Sequence, residues 1–155
     1  MSNEIFPKSK GLADITTYQV GALESAAHRA LRQYKDKQLS AYGLTGMEWY
    51  IVGIVADTGK TGIRTTDLAK NLGTTLGFLT KALKLLEAKR IITRRANAED
   101  ARSSFVALNP SYQKQVKKIE EVLRSKLRDS IYSQITKEEL ETYIRVMEKL
   151  SKIDS

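Results

Sequence analysis

The chain has 155 residues, 41% hydrophobic and 28% charged, with a formal net charge of +8. That is long enough for one cored domain, and the composition is that of an ordinary soluble protein rather than a disordered one. The absence of cysteine excludes disulfides, thiolate metal sites and thiol redox sensing, and no apolar run nears the roughly 20 residues of a membrane span.

Residues 1–10 read as a loose arm. MSNEIFPKSKG lacks the apolar core of a signal peptide, so a cytoplasmic protein is expected. From Leu12 to Gln38 the pattern is helical. Ile15, Tyr18, Ala22, Ala26 and Ala30 share one face, and Leu23, Ala27, Leu31 and Tyr34 widen the stripe. So much alanine lets a second helix approach closely. SAYGLTG is a loop, and Thr45 then caps a helix to about Asp57, nearly all of it apolar. DTGKTG is a glycine-rich turn, and Ile63 and Arg64 can form a short strand beyond it.

The stretch from Thr65 to Leu108 is the most informative. TTDLAKNLG reads as a short helix, with Thr65 or Thr66 as cap and Gly73 as its left-handed end. A second helix starts from Thr74 or Thr75, and Leu76, Leu79, Leu83 and Leu86 give it one buried stripe. Gly77, Phe78, Lys81, Lys84 and Ala88 are left facing outward. Two β-prone runs, IITRR and SSFVAL, flank ANAEDAR, which suits a hairpin with a polar, arginine-bearing tip. Helix, tight turn, helix and hairpin describe a winged helix-turn-helix, whose second helix is shaped for a major groove. From Lys60 to Arg102 ten basic residues face four acidic ones, +6 of the chain's +8, so basicity concentrates where a polyanion surface needs it.

After Leu108, Asn109 caps and Pro110 opens a long helix to about Ser133, with Val116, Ile119, Leu123, Leu127 and Ile131 at three-and-four spacing. Thr136 and Glu139 match a capping box, and the stripe that follows is Leu140, Tyr143, Ile144, Met147 and Leu150. The expected fold is mainly α with a small β-hairpin wing. Residues 44–108 form the winged helix-turn-helix lobe, and residues 12–38 and 109–155 supply the helices of a dimerisation region. Catalysis has no footing. His28 is the sole histidine, and no phosphate loop or nucleophile elbow is present, so no catalytic residue, cofactor or metal is expected.

This order of elements resembles the MarR family of winged helix-turn-helix transcriptional regulators over nearly the whole chain. LTGMEWYIVGIV is similar to that family's second helix, and DLAKNLGTTLGFLTKALKLLEAKRIITR to its helix-turn-helix, with Thr80, Leu83, Leu86 and Glu87 at familiar places. EDAR carries the wing signature, an aspartate two before an arginine, here Asp100 and Arg102. LNPSYQ stands before the long helix where the family usually has Leu-Thr and a glycine. Arg90 replaces a usual glycine, so the bend there is expected to differ. Gly77 and Phe78 replace polar residues near the start of the recognition helix. The resemblance implies a homodimer, usually a repressor released by a small aromatic or phenolic ligand.

The expected partners are therefore double-stranded DNA, a second copy of the chain and such a ligand, with no membrane. Thr75, Gly77, Phe78 and Lys81 are placed nearest the bases, with Lys84 nearer a phosphate. Phe78 can touch a thymine methyl or tuck against the wing. Arg94, Arg95 and the wing tip complete the contact, Arg102 in a minor groove with Asp100 holding its guanidinium. His28, Arg29, Tyr34, Tyr42, Trp49 and Tyr50 supply rings and a cation for an aromatic acid, or simply fill the core. The alternative function is a winged-helix protein used for non-specific DNA coating or protein–protein assembly.

Overall fold

The computed structural model describes residues 11–153, the side chain of Leu12 excepted, so the expected arm at residues 1–10 lies outside the described residues. The chain divides into two compact units, one up to Ile51 and one from Val52 onward. The division falls inside a helix.

In the first unit a single 3-10 turn, Leu12–Asp14, precedes helix α1, Thr17–Ser40. The helix thus starts later than its apolar pattern implies. Its true start is a capping box: Thr16 Oγ1 accepts from the Gln19 N–H at 3.4 Å, and Gln19 Oε1 accepts from the Thr16 N–H at 3.0 Å. The expected stripe on α1 is poorly covered, with Tyr18 75% and Leu23 41% exposed and only Leu39 fully buried. Helix α2, Gly46–Asp57, carries the apolar run, and Ile51, Val52 and Val55 are completely buried. Thr45 caps it as expected. Its hydroxyl accepts from the Glu48 N–H at 3.2 Å, and the buried Glu48 carboxylate accepts from the Thr45 N–H at 3.0 Å.

The second unit holds strand β1 (Ile63–Arg64), helices α3 (Thr65–Leu72) and α4 (Leu76–Ala88), strands β2 (Ile92–Ala96) and β3 (Ser104–Leu108), and helices α5 (Gln113–Ser130) and α6 (Lys137–Leu150). The three strands are antiparallel in the order β1-β3-β2, so the hairpin gains the third strand expected at Ile63 and Arg64. Gly62 makes this edge possible. At φ +74° a Cβ there would lie 2.4 Å from the Val106 carbonyl oxygen, so no side chain fits between β1 and β3. The core is Leu68, Leu79, Leu83, Leu86, Ile92 and Val106, all nearly or fully buried, with Ile119 and Leu123 the buried residues of α5.

The cap of α3 and the exposure of Leu76 differ from the sequence reading. Arg64, not a threonine, is the N-cap of α3, and it makes no side-chain cap bond. Because β1 runs directly into the helix, Thr65 is already helical, and its hydroxyl accepts from the Ser104 N–H at 3.3 Å, tying α3 to β3. Leu76 is not part of the buried stripe of α4. It is the first helical residue, beyond the layer that covers Leu79, and is 47% exposed. Elsewhere the local signals hold: Gly73 ends α3 at φ +59°, Asn109 Oδ1 accepts from the Ser111 N–H, and Thr136 with Glu139 forms a capping box. The 3-10 turn Pro110–Tyr112 intervenes before α5, which ends at Ser130 rather than Ser133.

Candidate nucleic-acid interface

Helix α4 is built to show one face. Thr75 Oγ1 accepts from the Phe78 N–H at 3.2 Å and fixes where the helix begins. At about 100° per residue, Leu79, Ala82, Leu83 and Leu86 point to one side, where all are buried. Gly77, Lys81, Lys84 and Ala88 point to the other and are exposed. Phe78 and Leu85 flank that face, 50% and 56% exposed. A Cβ on Gly77 would meet nothing within 4 Å, so nothing inside the chain requires a glycine there.

The wing stands beside this helix on well-defined bonds. Arg90, immediately before it, adopts φ +59°, the left-handed conformation that glycine reaches without strain. The bend is thus made with arginine in place. Its carbonyl accepts from Asn109 Nδ2 at 3.0 Å, and the Asn109 N–H donates to the Ile91 carbonyl at 2.9 Å. At the tip, buried Asn97 donates from Nδ2 to Ser103 Oγ at 2.9 Å and accepts the Glu99 N–H on Oδ1 at 3.1 Å. The hairpin end is therefore a braced turn rather than a loose loop.

Three of the arginines named from the sequence play different parts from one another. Arg94 is turned back onto α4. Its Nε and Nη2 both donate to Glu87 Oε2, at 2.9 and 2.5 Å, with three quarters of its side chain covered. Arg95 is exposed, and its Nη2 donates to the Thr61 carbonyl at 2.7 Å. Arg102 is exposed at the tip, but Asp100 does not hold its guanidinium. Asp100 Oδ1 instead accepts the Arg102 backbone N–H at 2.9 Å, shaping the turn.

The register gives a place in the site to Arg64, which the sequence reading put in a short strand and counted for its charge. Arg64 of β1 and Arg95 of β2 both pair with Phe105 of β3. Their guanidinium carbons lie 5.8 and 5.1 Å from its ring centroid, so one rung of the sheet is an aromatic platform between two cations. Only strand register reveals this, because the three positions are far apart in sequence. A shallow cavity of about 260 Å³ opens on the same rung, with Lys60, Thr93, Arg95, Phe105 and Pro110 in its wall.

Residues 42–103, which span α2 through the wing tip, match the profile of the MarR family. Over that stretch the chain is similar to the MarR family. Solved structures extend the likeness beyond that stretch. The S. aureus MepR–DNA complex is 23% identical, with a TM-score of 0.71 over 90% of this chain and 100% of that one. AbsC, a MarR family transcriptional regulator from Streptomyces coelicolor, is 18% identical, with a TM-score of 0.74 over 89% of this chain and 95% of AbsC. A mutant of E. coli MarR complexed with operator DNA is 21% identical, with a TM-score of 0.75 over 84% and 92%. At these identities the likeness is one of fold.

In this chain, Thr75, Gly77, Phe78, Lys81 and Lys84 come together on the open side of one helix, with Asp100 and Arg102 exposed on the wing. The residues expected to take a small ligand all lie in the first unit. His28 and Arg29 are exposed on α1, while Tyr34, Tyr42 and Trp49 are half-buried. Tyr50 is 40% exposed and has a cationic neighbour that the sequence reading did not name: Lys35 donates to its hydroxyl oxygen, with Nζ 4.9 Å from the ring centroid. Among the described residues no group of three or more acidic or histidine side chains is placed to hold a metal ion, and no helix is long and apolar enough to cross a membrane.

Proposed function

We propose that this MarR-like chain is a sequence-specific DNA-binding transcription regulator: a cytoplasmic homodimer that represses from a pseudo-palindromic operator and is released by a small aromatic ligand. The observation that carries the reading is the outward face of α4. Two lysines follow, about one and two turns on, a glycine whose missing side chain leaves the backbone open, on a helix capped at Thr75 and followed by a basic wing. Such a face accepts a groove of DNA, with residues near the helix start at the base edges and Lys84 at a phosphate. That MepR and E. coli MarR were solved with DNA supports the same reading.

Dimerisation is supported by apolar residues that each unit leaves uncovered. On α1 these are Tyr18, Val20 and Leu23; on α6 they are Tyr143, Ile144, Val146, Met147 and Leu150, between 41% and 56% exposed. Segments 12–38, 111–133 and 136–153 accordingly form a two-fold interface of roughly 2,000 Å² or more, as in obligate dimers. Two lobes then engage half-sites about one helical turn apart. For the ligand, the half-buried rings of Tyr34, Tyr42 and Trp49, with His28 and the Arg29 cation, supply stacking and charge for an aromatic acid. Release follows if that ligand binds more tightly to a dimer whose recognition helices are wrongly spaced.

The deciding experiment is selection of binding sites from random duplexes. An enriched inverted repeat is expected, with specific binding at least about a thousandfold over random DNA. A pool that never departs from random would leave a coating or assembly module as the function. Sedimentation at micromolar concentration, expected at twice the 17.4 kDa chain mass, tests the dimer separately.

A further inference from the structure

Helix α4, LGFLTKALKLLEA, contains no arginine, asparagine or glutamine. Those side chains read guanine or adenine through paired hydrogen bonds of fixed geometry in the major groove, where lysine serves guanine alone. Its remaining polar groups are largely committed. Thr80 Oγ1 donates to the Leu76 carbonyl at 2.7 Å, and Glu87 Oε2 holds Arg94. The cap oxygen of Thr75 is taken by the Phe78 N–H, which leaves its hydroxyl hydrogen to donate. Thr75, Lys81 and Lys84 are thus the donors available: a lysine can serve guanine O6 and N7 as a rotatable point charge, but none of the three pairs with adenine as an amide does.

What the helix offers instead is apolar surface. Phe78 and Leu85, seven residues apart and so nearly aligned about the axis, are 50% and 56% exposed beside Lys81. An apolar strip of this kind could also take a protein partner. Charge argues for DNA: the outward face carries Lys81 and Lys84, and the only acid in the helix is neutralised by Arg94. The occupant must therefore be anionic and still present apolar groups. In the major groove the C5-methyl of thymine is the one apolar group on a base edge.

We propose that this protein reads its operator chiefly through thymine methyl groups, with Phe78 as the specificity-determining residue and Leu85 extending its surface. Lys81 adds a guanine contact alongside. The inference rests on the DNA-binding reading above and deepens it: each half-site must carry at least one thymine recognised by its methyl rather than by its hydrogen bonds. Phe78 sits in the first turn of α4, the part of a recognition helix that lies closest to the bases.

The test replaces each thymine of the selected operator, one at a time, by deoxyuridine. That swap deletes only the methyl, and it acts on the DNA, so no protein variant need fold for it to work. At one or two positions in each half-site, affinity should fall about fourfold, the worth of one buried methyl. At those positions Phe78→Ala should abolish the difference between thymine and uracil, and Lys84→Ala should preserve it. Specific binding indifferent to uracil at every position would overturn the inference while leaving the DNA-binding reading intact. Uracil sensitivity that persists undiminished in Phe78→Ala would overturn the role of Phe78. Binding with no sequence selectivity would overturn the parent reading, and this inference with it.

Discussion

Arg94 on β2 and Glu87 on α4 are joined by two hydrogen bonds to a single carboxylate oxygen, at 2.9 and 2.5 Å, with both side chains about a quarter to a third exposed. The pair locks the wing against the helix beside it. Charge-assisted bonds of this kind hold geometry as well as energy. Arg94 therefore belongs with the framework of the site rather than among its free cations.

That assignment is testable by a double-mutant cycle. Glu87→Ala and Arg94→Ala should each destabilise the fold, with a coupling energy of about 1 kcal/mol in urea unfolding, near the upper end for a partly exposed pair. The salt dependence of DNA binding should keep its slope in Arg94→Ala. A slope reduced by about one would show that Arg94 neutralises a phosphate instead.

Arg90 occupies a left-handed conformation at φ +59°. For a residue with a Cβ this costs about 1 kcal/mol relative to glycine, partly offset by the freedom glycine adds to the unfolded chain. Arg90→Gly should raise stability by about 0.5–1 kcal/mol, seen as a higher urea midpoint with an unchanged slope. Arg90→Ala keeps the strain and should show no such gain. Equal midpoints for the glycine and alanine variants would count against strain at this bend.

Gly77 predicts opposite effects on folding and on binding. Its Cβ would meet no atom of the protein within 4 Å, and glycine within a helix costs about 1 kcal/mol against alanine. Gly77→Ala should therefore stabilise the fold by up to about that amount. If a DNA edge lies against the helix backbone, the same methyl should weaken operator binding by tenfold or more, through loss of close approach. Unfolding and binding curves on one preparation decide the matter. Tighter folding with undiminished binding would mean that the groove stays clear of Gly77.

At the wing tip, Asp100 shapes the turn through the Arg102 backbone and leaves the guanidinium exposed. Arg102→Ala should weaken DNA binding by about 1–3 kcal/mol with stability unchanged, as expected for a cation entering a narrow minor groove. Asp100→Ala should weaken binding less, by loosening the turn. A mutant Arg102→Ala with wild-type affinity would remove the wing tip from the interface. Lys84→Ala supplies the comparison, lowering affinity for all sequences alike.

The same titrations can probe ligand control. Trp49 is the only tryptophan, so a change in its fluorescence reports on one known position. An aromatic acid such as salicylate should change that signal and release DNA over the same concentration range. Release without any change in Trp49, or a change that never releases DNA, would separate the rings from regulation.

Local chemistry settled much of this protein from its sequence alone. Thr45, Thr75, Asn109 and Thr136 cap helices through side-chain oxygens only a few residues from the N–H groups they satisfy, and Gly73 ends α3 by a conformation that is its own. The spacing of Leu79, Leu83 and Leu86 likewise determined which side of α4 is buried and hence which residues face out. Tertiary structure decided whatever joins distant positions. It alone made Thr65 a partner of Ser104 instead of a cap, turned Arg94 onto Glu87, and set Arg64 and Arg95 across Phe105. It also left Leu76 exposed, whereas the left-handed Arg90 is local, closing the end of α4 as its N–H donates to the Glu87 carbonyl and the Ile91 N–H to the Leu86 carbonyl. The physical division is one of range: caps and periodicity act within a turn of helix, whereas charge pairing and strand register exist only once the elements have packed.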